Sequence, residues 1–463
     1  MNVFLRSTLI TLFVSCLNPQ LTLAAEVSGP ITSSSSSAPF SAPLFDVTDH
    51  GYVVEEFFID GNAYAYEFKG SSTQTADGRW STRRREKTAP FRSRILVVRP
   101  AKAADFNGTI IVHWQNVTAG FELGSVTEGE YLRGYAWVGV SAQKIGIDGS
   151  PGPDAAGLKQ WDDKRYGSLN HPGDAYSYDI FTQAGRAIGP DRSRTGVDPM
   201  GGLDVKRLVA AGASQSAGRL RTYINGVHPI EQVFDGYIPY IDFGSTIPFA
   251  SDFDQQGRRQ RNSTVIRDDL DVPVLVVNSE TETLAYVTAR QPDTSTFRFW
   301  EVAGTSHVSV PRGEKRPGLE SANWLSFQPV YSASLRHMHR WLKDGTEPPS
   351  MPRIVVGEKD SPGVERDQHG NAQGGIRLPD FVVATSTHSG TGKRTPGGNR
   401  FSFLYGNAED FSEDQLASLY PTQTGFLQAY DEALKNSVAE GMVLAEDAPN
   451  LRNAAQDWSA KLK

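Results

Sequence analysis

Cysteine is almost absent from this 463-residue chain. The single cysteine, Cys16, lies close to the N-terminus, so the sequence excludes a fold held together by disulfide bonds. Secreted animal and fungal proteins of this size usually carry disulfides. Their absence favours a bacterial periplasmic or secreted protein that is stable through its hydrophobic core alone.

An excess of positive charge is also absent. The chain has 46 Lys and Arg residues against 53 Asp and Glu residues, which gives a net charge of −7 at pH 7. Binding to nucleic acid relies on clustered Lys and Arg against phosphate, so the composition argues against a nucleic-acid partner. A hydrophobic content of 38% and a charged content of 21% are typical of a globular protein.

The N-terminal segment has no apolar run long enough to cross a membrane, which takes about 20 residues. Thr8–Leu17 is apolar and follows Arg6, and "LTLAA" then offers small residues for cleavage after Ala24 or Ala25. This pattern predicts a secretory signal peptide over residues 1–24 or 1–25. The protein would then be secreted or periplasmic, with no stable membrane insertion after cleavage. A buried N-terminal helix is the alternative interpretation.

The composition along the chain predicts its organisation. The Ser/Pro-rich stretch "ITSSSSSAPFSAP" indicates a flexible tether over residues 26–45. Residues 46–463 are expected to form one domain, with a catalytic core at about 95–345. The amphipathic helix Phe327–Gly345 is followed by "EPPSMP", which breaks the chain. The remainder, about 346–463, is expected to cap the core or to brace it.

The strand pattern predicts an α/β fold. The runs "YVVEEFFI", "AYAYEF" and "RILVVRP" are short, β-rich and separated by turn-forming residues, which indicates antiparallel strands near the N-terminus. Continuous apolar strands then alternate with helical patterns, and these strands are Thr109–Trp114, Tyr135–Ala142, "KRLVAAG", Val272–Ser279 and Phe297–Gly304. Such alternation predicts a mostly parallel central sheet with helices on both faces.

The stretch "LVAAGASQSAGRLRTYI" has the pattern of a nucleophile on a tight strand-to-helix turn. Small residues must flank such a nucleophile at positions −2 and +2, because the strand and helix backbones nearly touch there. Ser214 has Gly212 at −2 and Ser216 at +2. Ser216, with Ser214 at −2 and Gly218 at +2, also fits, but Ser214 fits better because Gly at −2 tolerates the tightest turn.

A serine nucleophile needs a base and an acid to orient that base. His307 lies three residues after Gly304, just beyond an apolar strand, which is where this fold places the base. The loop after "PVLVVN" offers Glu280 and Glu282, and the usual spacing of nine residues from Pro273 favours Glu282. The resulting order Ser214, Glu282, His307 is that of α/β-hydrolases.

Two backbone N–H groups would hold the oxyanion that forms during attack. One is the N–H of Gln215, the residue after the nucleophile. The other is expected in the loop "HWQNVTAG", from Asn116 or Val117, because that loop follows an earlier strand and is rich in small and turn-forming residues.

Several motifs together resemble a family of bacterial α/β-hydrolase-domain proteins that are often secreted and have an S-Q-S elbow. These motifs are "FNGTIIVHWQNVTAG", "RGYAWVGVSAQ", "RYGSLNHPGDAYSYDIFTQAG", "GASQSAGRL", "NSETETLAYVTARQPD", "WEVAGTSH" and "GNAQGGIRLP". The resemblance runs from about Asp46 to the C-terminus and implies a serine hydrolase with Ser214, Glu282 and His307 as its triad. Many members have Gly where this chain has Ala217.

Two of these motifs are expected to contribute to the substrate pocket. "RYGSLNHPGD" would form a rim of the substrate pocket through Tyr166, His171 and Asp174. "GNAQGGIRLPDF" would place Arg377 near the site, to bind an acidic group of the substrate. Alternatively, both are loops held by salt bridges and turns.

These observations predict a secreted or periplasmic serine hydrolase that cleaves a carboxylic ester, either a small molecule or a polymer, without a metal or organic cofactor. A hydrolase of amides, lactones or carbon–carbon bonds with the same triad is the first alternative. A non-catalytic binding protein on a hydrolase scaffold is the second.

Overall fold

The computed structural model describes residues 24–32, 38–150, 156–193, 196–249, 262–357, 363–392 and 401–462. Nine strands in these ranges form the central sheet, in the order β1-β2-β3-β5-β4-β6-β7-β10-β11. They are β1 (Glu26–Ser28), β2 (Tyr52–Phe68), β3 (Thr82–Pro100), β4 (Thr109–Trp114), β5 (Ala136–Val140), β6 (Arg207–Ala213), β7 (Gly236–Tyr240), β10 (Val274–Ser279) and β11 (Phe297–Val302). Two small two-stranded sheets pair β8 (Ser245–Thr246) with β9 (Asn262–Ser263) and β12 (Ser386–Ser389) with β13 (Asn407–Asp410).

The helices cover both faces of this sheet. Their bounds are α1 (Lys144–Asp148), α2 (Leu158–Trp161), α3 (Asp163–Tyr166), α4 (Ser177–Ile188), α5 (Gln215–Gly226), α6 (His228–Glu231), α7 (Thr283–Tyr286), α8 (Gln328–Asp344), α9 (Pro379–Val382), α10 (Glu413–Leu419), α11 (Gln423–Ala439) and α12 (Ala448–Ser459). None of the described helices combines the length and the apolar character that crossing a bilayer requires.

Alternate residues of the inner strands belong to two separate hydrophobic clusters. On β4, Ile110 and Val112 pack in the cluster that contains residues of α4 and α5, whereas Ile111 packs in the cluster that contains residues of α8 and α11. Because side chains alternate across a strand, these two clusters lie on opposite faces of the sheet. A strand buried on both faces is mostly apolar, which explains the nearly continuous apolar runs of the sequence.

The predicted fold class is confirmed. Strands β5, β4, β6, β7, β10 and β11 are parallel to one another, whereas β1, β2 and β3 pair antiparallel at one edge. One detail differs from the prediction. The runs "YVVEEFFI" and "AYAYEF" are a single strand, because the "DGN" between them pairs with β3, with Gly61 opposite Phe91.

The N-terminal organisation also differs from the prediction. Glu26–Ser28 was expected to belong to a flexible tether, but it pairs with β2 and extends the central sheet. Residues 33–37, in the serine run, and nearly all of the expected signal peptide lie outside the described residues. At the other end of the chain, Phe426 and Trp458 pack in the same cluster as α8, so the C-terminal helices cover one face of the sheet.

Candidate active site

Ser214 occupies a strained turn between a buried strand and a helix. β6 ends at Ala213 and α5 begins at Gln215, so Ser214 alone makes the turn, with φ 56° and ψ −113°. A positive φ is uncommon for a residue other than glycine and costs about 1–3 kcal/mol. The turn is tight at Gly212, where an added Cβ would lie 3.1 Å from the Ser216 backbone. This close approach explains the small residue at position −2.

The two serines of the motif differ in conformation and exposure. Ser214 is half-buried. Ser216 is fully buried in the first turn of α5, and its Oγ has no hydrogen-bond partner among the described residues. A nucleophile must be reachable by a substrate, so backbone strain and exposure both favour Ser214 over Ser216.

The imidazole of His307 contacts a buried carboxylate. His307 Nδ1 lies 2.6 Å from Glu282 Oε1. Glu282 is fully buried, and its Oε2 accepts hydrogen bonds from the N–H (2.9 Å) and the hydroxyl (2.6 Å) of Ser279. These bonds fix the carboxylate in one orientation. With Nδ1–H donated to Glu282, the imidazole has Nε2 available to accept a proton.

Glu280 makes different contacts. Its carboxylate accepts the N–H groups of Gly304 (2.8 Å) and Gly390 (3.0 Å) and pairs with Arg366 at 2.6 Å. The structure therefore joins Glu282, and not Glu280, to the imidazole. The motif S-x-x-E, here Ser279 to Glu282, is a capping box that the sequence already contains.

The end of β7 connects the serine to the histidine. The N–H of Ser214 donates to the carbonyl of Tyr240, the last residue of β7 (3.0 Å). Three residues later, the ring of Phe243 stacks on the His307 imidazole, with 5.4 Å between centroids and 27° between planes. β6, β7, β10 and β11 are parallel neighbours, so their carboxyl ends lie on the same side of the sheet. Ser214, Glu282 and His307 all follow such carboxyl ends.

Asp242 holds the loop that carries Phe243. Its N–H donates to Asn278 Oδ1 (2.8 Å), and its carboxylate pairs with Arg221 of α5 at 2.5 Å. Both partners are fully buried, and they fix this loop, which follows β7, to α5 and β10. Nothing in the sequence around "YIPYIDF" distinguishes Phe243 from a core residue, so sequence reasoning did not find it.

The candidate oxyanion donors differ in availability. The first N–H groups of a helix have no partner within it, so the N–H of Gln215 is available at the start of α5. The N–H of Asn116 instead donates to the Leu123 carbonyl (3.1 Å), which corrects the expectation for that residue. The N–H of Val117 has no acceptor among the described residues. The Asn116 side chain donates to the Ala213 carbonyl (2.8 Å) and so holds this loop beside the turn.

The expected pocket rim is wrong for Tyr166, His171 and Asp174. Their exposures are 0%, 3% and 1%. Tyr166 donates to Glu56 (2.6 Å), and the His171 ring contacts the Ala142 carbonyl at 2.9 Å. Asp174 pairs with Arg219 at 2.8 Å. All three polar groups have partners inside the protein, so the motif stabilises the fold, as the alternative interpretation held.

Arg377 is also held within the C-terminal region. Its guanidinium donates to the Ala372 carbonyl (2.9 Å) and lies 4.7 Å from the centroid of the Phe381 ring. Within the described residues, Arg377 has no contact with Ser214 or His307. The structure thus gives Arg377 bracing contacts in the C-terminal region, and its contact with an acidic group of the substrate stays a prediction.

The comparison with protein families agrees with this architecture. A family model described as an alpha/beta hydrolase domain matches residues 27–453. The chain belongs to this family. It is a hydrolase of the α/β class, and its match extends through the C-terminal helix α11 and the first half of α12. No curated protein matches this hydrolase.

The solved structures that are similar to this hydrolase share little of its sequence. The esterase Est22 is 12% identical, with 54% of this chain and 72% of Est22 covered and a TM-score of 0.28. An arylesterase is 12% identical, with 45% and 71% covered and a TM-score of 0.26. Prolyl oligopeptidase B from Galerina marginata is 8% identical, with 54% and 40% covered and a TM-score of 0.27. At such TM-scores these similarities carry no argument about the bond that is cleaved.

Proposed function

We propose that this protein is a secreted or periplasmic serine hydrolase that cleaves carboxylic esters through an acyl-enzyme intermediate. The observation that carries the proposal is the combination of a strained, accessible Ser214 with the Glu282–His307 pair at the same edge of the sheet. A strained serine at the end of a strand and an oriented imidazole are the parts that nucleophilic acyl transfer needs.

The reaction follows from the roles of these groups. His307 Nε2 takes the proton of the Ser214 hydroxyl as Oγ attacks the ester carbonyl carbon. The negative charge that develops on the carbonyl oxygen is stabilised by the N–H groups of Gln215 and Val117. His307 then gives its proton to the departing alkoxide, which leaves as an alcohol and leaves the acyl group on Ser214.

Water completes the cycle. His307 removes a proton from a water molecule, the hydroxide attacks the acyl-enzyme, and the proton returns to Ser214 Oγ as the carboxylic acid leaves. The Glu282 carboxylate stabilises the imidazolium that forms in each half of the cycle. Amide, lactone and carbon–carbon bond hydrolysis use the same groups, and they remain the alternatives because a fold does not fix a reaction.

A fluorophosphonate probe tests the nucleophile. The wild-type protein should be labelled at Ser214, and Ser214→Ala should lose both labelling and activity. Ser216→Ala is the matched control, because it removes a hydroxyl two residues away and should keep both. Activity that survives in Ser214→Ala and disappears in Ser216→Ala would contradict the assignment. Absence of any labelling would favour a binding protein.

A substrate panel tests the bond. The panel contains para-nitrophenyl esters of increasing acyl length, sugar esters, aromatic esters, matched amides and lactones. The enzyme should hydrolyse the esters with the highest kcat/KM. A preference for amides, lactones or carbon–carbon bonds at the same Ser214 would replace the ester by that class and leave the triad intact.

A further inference from the structure

The two loops that carry the acid and the base are joined to each other and to the C-terminal region by side chains outside the triad. The acid loop is Glu280–Glu282, and the base loop is residues 304–307. Each of the three acid-loop residues contacts the base loop: Glu282 the imidazole, Thr281 the His307 backbone, and Glu280 the N–H of Gly304.

Thr281 bridges the base loop and the C-terminal region. Its hydroxyl oxygen accepts the N–H of His307 (2.9 Å) and its proton is donated to the carbonyl of Gly390. Thr281 is 8% exposed, so water does not readily replace either partner. A single hydroxyl thereby fixes the position of the His307 backbone relative to Gly390, which follows β12.

Glu280 makes the same connection with a carboxylate. One oxygen accepts the N–H of Gly304, and the other accepts the N–H of Gly390 and pairs with Arg366. Arg366 also donates to the carbonyl of His388 at 3.2 Å. The guanidinium is the accessible end of this network, since its side chain is 31% exposed whereas Glu280 is 3% exposed.

The packing at Gly390 shows how closely the C-terminal region approaches the acid loop. An added Cβ there would lie 2.5 Å from the Thr281 nitrogen and 2.7 Å from the Glu280 Cβ. Asn323 adds a second tie, because its amide donates to the carbonyls of Gly304 (2.6 Å) and Ser389 (3.3 Å). The acid loop, the base loop and residues 388–390 therefore form one packed unit.

We propose that Glu280, Thr281 and Arg366 are positioning residues that fix the His307 imidazole against Glu282, with the C-terminal region as the support. This proposal rests on the proposed function. It assigns the region after residue 346 a role in catalysis as a brace of the triad. Because a misplacement of about 1 Å can cost about 100-fold in rate, a loosened histidine loop should lower turnover with little effect on substrate affinity.

Steady-state kinetics of variants in the full chain test the proposal. Thr281→Val, which removes the hydroxyl at constant size, should lower kcat by about 10- to 100-fold and change KM by less than about threefold. Thr281→Ser, which restores the hydroxyl, should recover most of kcat. The rate of fluorophosphonate labelling should follow kcat, since labelling needs the activated serine and not substrate recognition.

Arg366→Ala covers the case in which Thr281→Val fails to fold, because the arginine is partly exposed. It should lower kcat by about three- to tenfold. Glu231→Gln is the matched control, since Glu231 is a buried carboxylate paired with Arg84 at 2.6 Å, and its hydrogen bonds and ion pairs with Arg84, Arg186 and Tyr66 lie outside the acid and base loops. Circular dichroism and thermal melting of each variant establish that the fold is retained.

The outcomes separate the two proposals. If Ser214→Ala is inactive while folded Thr281→Val and Arg366→Ala match Glu231→Gln in kcat, the positioning role is overturned and the serine hydrolase stands. If Ser214→Ala stays active, the proposed mechanism and the positioning role are both overturned. Equal loss of kcat in Thr281→Val and Thr281→Ser would also overturn the role of the hydroxyl.

Discussion

His307 Nδ1 and Glu282 Oε1 lie 2.6 Å apart, although 24 residues and strand β11 separate them in the chain. The carboxylate is fully buried and has both oxygens occupied, one by the imidazole and the other by Ser279. An imidazole held in this way presents one tautomer, with the proton on Nδ1 and the lone pair on Nε2.

Glu282→Gln should lower kcat by about 10³- to 10⁴-fold, because a neutral amide holds the wrong tautomer as readily as the right one and does not stabilise an imidazolium. The measurement is kcat and KM for a para-nitrophenyl ester. Glu280→Gln serves as the comparison, with an expected loss of about tenfold. The reverse ranking would show that Glu280 is the acid.

The strain at Ser214 predicts a difference between two inactive variants. Ser214→Gly should be more stable than Ser214→Ala by about 1 kcal/mol, because glycine adopts a φ of 56° without the steric cost that a Cβ imposes. Glycine also gains more entropy on unfolding, which offsets part of this difference. Urea unfolding of the two variants gives the comparison. A less stable glycine variant would mean that the turn is not strained in solution.

Phe243 is expected to influence the base through its stacked ring. Phe243→Ala should lower kcat by about tenfold, because the imidazole loses the surface that limits its rotation and the aromatic face that stabilises its protonated form. Phe243→Leu keeps an apolar contact without the aromatic face, so its kcat should lie between that of the wild type and that of Phe243→Ala. Unchanged kcat in the alanine variant would show that Glu282 alone orients the ring.

Acid should destabilise the fold through its buried histidines. Burial lowers the pKa of His388 to about 3 and that of His113 to about 4 from an ordinary value near 6.5. The unfolded chain therefore takes up protons below about pH 6.5 while these folded histidines stay neutral. The free energy of unfolding therefore decreases as the pH is lowered below about 6.5, by up to about 1.4 kcal/mol per pH unit for each group.

His388→Asn should remove about 2 kcal/mol of the stability difference between pH 7 and pH 5, because asparagine keeps a donor for Asn323 and does not titrate. Urea unfolding at the two pH values measures this difference. His50→Asn is the control, since His50 is exposed and should leave the difference unchanged. An equal pH dependence in wild type and His388→Asn would mean that His388 is not neutral and buried in solution.

The sequence by itself determined the strand pattern and the place of the turn. Apolar continuity, small residues around Ser214 and the stop at Gly345 are local signals, since each depends on backbone sterics within a few residues. They predicted the parallel sheet with helices on both faces, and the last turn of α8 before Gly345 follows the same rule.

Only the tertiary structure decided which polar groups meet. Glu280 and Glu282 both follow the same strand, and although the spacing from Pro273 favours Glu282, their roles depend on partners at residues 304–307, 366 and 390. Tyr166, His171 and Asp174 read as pocket residues until the structure placed them beside Glu56, Ala142 and Arg219. Burial and hydrogen-bond pairing depend on contacts between distant parts of the chain, and a local pattern carries no record of them.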